Sequence, residues 1–232
     1  MQRTIPLFAA LLLSGCVNAV ATQPIGIAAP APGSISGQAI ANFAAVVARV
    51  EPVAEAICRE RSRRVNCDLQ IVVDPRPNMP PNAFQTLDGS GRPIVGFTLA
   101  LIADARNADE IAFVLGHEAS HHIAGHIAKR EQTAMAGALV AAVLAQGAGA
   151  DAEAIRAAQD LGAEVGARTY SREFELEADA MGAEIALRAG FDPVRGTAFF
   201  DRLPDPGDQF LGTHPPNAQR KRIVAQTVAA LR

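Results

Sequence analysis

The sequence predicts an α+β, helix-dominated domain with a small sheet of about three strands, and three observations carry that prediction. Apolar residues recur at helical spacing over much of the chain, beginning with Ile40, Phe43, Val47, Val50, Val53 and Ile57. A short β-branched run, CDLQIVV at 67–73, and two segments flanking Asp88-Gly89-Ser90-Gly91 have the character of a strand and a hairpin. The 232 residues, 49% hydrophobic and 19% charged, suffice for one core without metal or disulfide staples.

The first helix is expected over 38–64, with Pro52 as a kink or the start of a second element. Its basic end, Arg59 to Arg64, suits a solvated helix C-terminus. Strands follow at 67–73, 82–87 and 92–97, the first closed by the turn-prone Asp74-Pro75-Arg76-Pro77. Asn107, with Glu110 three residues on, has the spacing of a capping box and opens a helix expected over 108–129. Residues 132–150 carry no charge, yet Gln132, Thr133, Gln146 and the abundant Ala predict a packed helix rather than a membrane span. A further helix is expected over 152–189, in one or two pieces, ending at Gly190 before Asp192-Pro193 starts another. Residues 204–217 read as a loop, and 218–231 as a last amphipathic helix through Ile223, Val224, Val228 and Leu231.

Composition excludes one class of partner. A net charge of −3, no Trp and 5% aromatic residues leave neither a basic footprint nor a stacking platform, so no nucleic acid is expected.

Residues 1–16 have a positive start at Arg3 and an apolar stretch from Ile5 to Leu13, too short to span a bilayer of ~30 Å. The end of that segment, Leu13-Ser14-Gly15-Cys16, resembles a bacterial lipobox, which implies a lipidated Cys16 as membrane anchor. Residues 17–37, uncharged and rich in Ala, Pro, Gly and Ser, have tether composition. Val17 after the Cys, by resemblance to known lipoproteins, favours the outer membrane. The expected organisation is therefore a lipoprotein signal peptide (1–16), a flexible tether (17–37) and one domain (38–232), facing the periplasm. With Cys16 lipidated, Cys58 and Cys67 remain, and an oxidising compartment favours their disulfide.

Four of the five His lie between 117 and 126. His117-Glu118-Ala119-Ser120-His121 is an HExxH, and at 100° per residue its two His and its Glu fall within a ~100° arc of one helix face. Two imidazoles one turn apart can bind one Zn²⁺, with the Glu placed to take a proton from water. A catalytic zinc needs a third protein ligand. HExxHxxGxxH fails, because Ala124 and Ile127 stand where Gly and His would be required. Downstream, Glu175 and Asp179 form an ExxxD on one helical face, so that Glu175 can ligate while Asp179 orients a ligating imidazole. Glu173 and Glu177 point elsewhere around that helix. His122 and His126 form another i, i+4 pair on the opposite side and read as surface or packing residues, and Tyr170 as an anchor for the helix start.

On these segments the sequence is similar to the HtpX-, Oma- and BepA-type zinc metallopeptidases, the family that also contains the CAAX prenyl endopeptidases. The resemblance rests on Asn82-Ala83-Phe84, NADEIAFVLGHEASHHIAGH at 107–126, YSREFELEADAMG at 170–182 and THPPNAQR at 213–220. It implies a zincin-like domain with the HExxH helix packed on the ExxxD helix. It also implies one zinc per chain, held by His117, His121 and Glu175. Glu118 would be the general base and Asp179 the partner of a ligand. His214 and Arg220 fall on the family's HPxxxxR segment and become candidates to hold the substrate oxyanion, with occupation of the open zinc position as the other role for His214. The expected activity is peptide-bond hydrolysis in unfolded or misassembled envelope proteins, with an extended substrate added to the edge of the strand near Arg92–Phe97. The alternative is a non-enzymatic, zinc-containing periplasmic chaperone or assembly factor.

Overall fold

The structure, a computed structural model, describes residues 35–62, 65–169, 171–205 and 214–232. The expected signal peptide, lipobox and nearly all of the tether lie outside those residues, as do Tyr170 and the end of the basic run at Arg63 and Arg64.

Helix α1 (Gly37–Arg61) is capped by the Ser36 hydroxyl and runs unbroken past Pro52. It buries Phe43, Val46, Val47, Val50, Ala54 and Ile57, the stripe expected of a 3.6-residue period. A Cys58–Cys67 disulfide, with Cα atoms 5.7 Å apart, ties the end of α1 to the entry of strand β1 (Gln70–Asp74). Strand β2 (Ala83–Leu87) and strand β3 (Pro93–Thr98) form the expected hairpin, and the sheet order is β1-β3-β2.

That order corrects one expectation. β3 pairs parallel with β1 on one side and antiparallel with β2 on the other, so it has no open edge. All six of its residues are buried, as a central strand requires, and the edge on the hairpin side belongs to β2. Gly96 lets the Phe84 ring lie across β3, where any side chain would collide with it.

A short helix that the sequence reading missed, α2 (Leu99–Asp104), follows β3 directly, capped by Thr98. Helix α3 (Ala108–Ile123) starts at Asn107, whose side chain accepts from the Glu110 N–H at 3.1 Å. The helix expected over 108–129 is in fact two. Gly125, at φ 67°, breaks the ladder in the left-handed region, and helix α4 (His126–Gly147) leaves in a new direction. α4 pairs with helix α5 (Ala152–Thr169) as a hairpin, the two backbones brought close at Gly137, Gly162 and Gly166. Among the described residues no helix is long and apolar enough to cross a membrane. The outer stripe of α4, Met135, Leu139, Val140, Val143 and Leu144, is exposed rather than packed.

Helix α6 (Ser171–Arg188) ends at Gly190, φ 82°, and the Asp192 carboxylate caps the short helix α7 (Pro193–Gly196). A 3₁₀ turn over Thr197–Arg202 and helix α8 (Asn217–Leu231) complete the fold. One core unites α1, β1, β3, α3 and α6 with Val224 of α8. The decisive packing is α3 on α6. A Cβ on Gly116 would lie 2.7 Å from the Gly182 carbonyl oxygen, and one on Gly182 would lie 2.7 Å from the His117 nitrogen. Only two glycines let these backbones approach so closely, and the residue after the first is His117.

Candidate metal centre

Helix α3 projects His117 and His121 from adjacent turns, and α6 brings Glu175 against them. His117 Nε2 and His121 Nε2 are 3.1 Å apart; Glu175 Oε2 is 3.5 Å from the first and Oε1 3.4 Å from the second. Ligand atoms ~2.0–2.1 Å from a tetrahedral ion lie about 3.3 Å from one another. Each separation is close to that edge length, the two to Glu175 being made by different carboxylate oxygens, and one donor atom from each residue lies within 4.8 Å of the others, so the residues present fit a zinc-sized divalent ion. Among the described residues this is the group of His, Cys, Asp and Glu side chains that could hold a metal.

The remaining nitrogen of each imidazole is also engaged. His117 Nδ1 lies 2.9 Å from Asp179 Oδ1. Asp179 is fully buried and takes two 2.7 Å bonds from Arg220, through Nε and Nη2. Arg220 is itself buried, lies 4.2 Å over the Phe200 ring, and reaches Glu175 Oε2 at 3.5 Å. Its guanidinium, expected as an oxyanion donor, is thus committed to Asp179 and steadies His117 from behind. His121 Nδ1 lies 2.9 Å from His126 Nδ1. His126 is buried beside the metal group instead of lying on the far side of the helix, a correction that follows from the break at Gly125. His122 packs as expected, 2.7 Å from the Asn66 carbonyl oxygen. Glu173 faces solvent, whereas Glu177 turns back onto His126 at 3.1 Å.

Electrostatics follows from this crowding. Burial opposes a charge on His117, but the hydrogen bonds it donates to the Asp179 and Glu175 carboxylates outweigh it, and the pKa is pushed up to about 10 in the metal-free protein. Burial and the neighbouring charge of His117 hold His121 down to about 3. Glu175 would be raised by burial, yet His117 and His214 keep it ionised, well below the usual carboxylate range. Burial lifts the carboxyl of Glu118 above its ordinary value.

These groups open into a cleft of about 740 Å³. Glu118 stands in its wall with His117, His121 and Glu175; Asn82, just before β2, and Ala83 and Gln85 within β2 line the cleft too. The Gln85 side-chain oxygen is buried and has no hydrogen-bond partner among the described residues. His214, more than half exposed, sits 3.2 Å from Glu175 Oε2 at the mouth. The structure therefore assembles every residue expected at the site. His126 is the residue the sequence reading misplaced, and the signal was present: a glycine one position before it, inside an otherwise helical pattern.

Two helices thus present two imidazoles and a carboxylate to a cleft, the donor set of a metal centre. The chain belongs to peptidase family M48, whose profile matches residues 41–228. It is 31% identical over 137 residues to the mitochondrial metalloendopeptidase OMA1 of Arabidopsis thaliana, covering 57% of this chain and 27% of that protein. The beta-barrel assembly-enhancing protease of Escherichia coli is 29% identical over 147 residues, 58% of this chain and 29% of its own length. The metalloprotease LoiP of the same bacterium is 27% identical over 155 residues, 64% and 59% of the two chains. The match thus spans between about a quarter and three fifths of these relatives.

Proposed function

We propose that the chain is a zinc metalloendopeptidase of the gluzincin type that cuts unfolded or misassembled envelope polypeptides, anchored through a lipidated Cys16, with the outer membrane favoured. The observation that carries the reading is the convergence of His117, His121 and Glu175, with contacts of 3.1, 3.4 and 3.5 Å among their donor atoms and Glu118 beside them in the cleft. The disulfide suits an oxidising compartment, and the bacterial relatives named for beta-barrel assembly support the envelope as the setting.

His117, His121 and Glu175 would hold the ion, which supplies Lewis acidity toward a carbonyl and lowers the pKa of water. The chain's own part is positional. Asp179, steadied by Arg220, keeps the His117 Nδ1 proton turned away from the donor triangle. The β2 edge offers backbone groups to an extended substrate. Glu118 takes a proton from the attacking water and delivers it to the leaving amine, a two-way role suited to its raised pKa. His214, at the mouth, is placed to donate to the developing oxyanion.

The test is cleavage of a reduced, alkylated polypeptide by the purified chain. Hydrolysis should vanish with a chelator and return with one equivalent of zinc per chain. Binding of that polypeptide by the zinc-loaded protein without cutting it would establish the chaperone alternative.

Metal uptake should also release a proton. The metal-free His117 stays protonated up to about 10, and a ligand must give that proton up, so rising pH favours uptake. Zinc affinity should increase roughly tenfold per pH unit between about pH 6 and 8. Calorimetry in buffers of different ionisation enthalpy counts the proton directly.

A further inference from the structure

We propose that His126 and Glu177 are positioning residues for the ligand His121, a hydrogen-bonded chain that decides which of its nitrogens carries the proton. The inference rests on the reading of His117, His121 and Glu175 as zinc ligands and extends it outward through a part of the fold with no other assigned role.

His121 turns Nε2 toward the other two donors, at 3.1 and 3.4 Å, and Nδ1 toward His126 Nδ1, at 2.9 Å. Two imidazole nitrogens form a hydrogen bond only when one carries a proton and the other does not. The far nitrogen of His126 settles which. His126 Nε2 lies 3.1 Å from Glu177 Oε2, and an ionised carboxylate can only accept. The His126 proton therefore sits on Nε2, its Nδ1 is an acceptor, and the His121 proton sits on Nδ1. That leaves the lone pair of His121 Nε2 aimed at the metal position. Each proton in the chain has one place, assigned from the carboxylate inward.

The fold builds this chain deliberately in the physical sense. In an uninterrupted helix a residue five positions on is turned ~140° away and could not meet His121. The left-handed Gly125 redirects the backbone so that His126 comes back to it. The His126 ring is then clamped: it is 4% exposed and stacks on Phe174 with centroids 4.5 Å apart and planes 16° apart. Lys129 stands 3.8 Å from Glu177 Oε2 and 5.6 Å from the Phe174 centroid, holding the outer end. The two ligands are thus supported differently, His117 by a carboxylate in direct contact and His121 by a carboxylate acting through a second imidazole.

The experiment compares Glu177→Ala, His126→Phe and His126→Gln with the unaltered full-length protein. Zinc dissociation constants are measured by competition with a chromogenic chelator, and thermal unfolding is followed on the metal-free forms. Glu177→Ala should weaken zinc binding roughly 10-fold or more, and His126→Phe, which keeps the ring stack but loses the acceptor, by up to ~100-fold. His126→Gln, able to accept and donate, should recover most of the loss. Metal-free unfolding of Glu177→Ala should match the unaltered protein, because Glu177 is about half exposed. If His126→Phe does not fold, Glu177→Ala decides alone. Unchanged zinc affinity in Glu177→Ala overturns the proposal, as does a loss accompanied by equal destabilisation of the metal-free form. An unaltered protein that takes up no zinc overturns the metal assignment itself and this inference with it.

Discussion

Glu118→Gln should lower kcat by roughly 10²- to 10⁴-fold while leaving the zinc content at one per chain. Gln has the volume and reach of Glu but cannot take a proton, so the change removes one function and preserves the wall of the cleft. Glu118 is not one of the three groups whose donor atoms converge, so metal retention is expected. Stopped assays on a quenched-fluorescence peptide, paired with metal analysis of the same sample, separate the two quantities. Undiminished turnover would remove Glu118 from the mechanism, and lost zinc would place it among the ligands. Under the proposed function, the raised pKa of Glu118 adds a second expectation for the unaltered protein, an acid limb of kcat/KM lying above the usual carboxylate range.

Arg220→Met should cost about 3–5 kcal/mol of stability and lower Tm by roughly 10 °C. Methionine keeps much of the stem that packs against Phe200, so the loss is chiefly electrostatic. Asp179 is fully buried, and without the two bonds from Arg220 its charge would rest on His117 alone. Removing one partner of a buried pair is far worse than removing both. The double variant Asp179→Asn with Arg220→Met should therefore regain part of the lost stability, measurable as a positive coupling in a double-mutant cycle. Additive losses would show that the pair does not act as a unit. Zinc affinity should fall in both variants, because each loosens the orientation of His117.

The site was largely legible in the sequence because its chemistry depends on local spacing. HExxH places two imidazoles one turn apart on any helix, and ExxxD does the same for its carboxylates, so His117, His121, Glu175 and Asp179 could be named before any packing was known. The disulfide was legible from the pairing of the two remaining cysteines. His126 was not, because its position depends on a single backbone conformation at Gly125 that reverses the face on which it falls. The arrangement of the sheet was only half legible. The hairpin signal located β2 and β3, but whether β1 would join β2 or β3 is a long-range pairing that alternation within each strand cannot express. Helix α2 was hidden for a different reason: six residues are too few to display a period.

By itself, then, the order of residues determined which side chains could serve as metal ligands, which could exchange a proton with water, and where helices begin at Asn107 and Asp192. Tertiary structure alone decided how those parts meet. The contact of Gly116 with Gly182 sets the distance between two helices, and the turn at Gly125 sets the partner of His121. Ligand spacing within one helix follows from 1.5 Å of rise and 100° of rotation per residue. The gap between helices follows from how closely two backbones can pack, which no periodicity encodes.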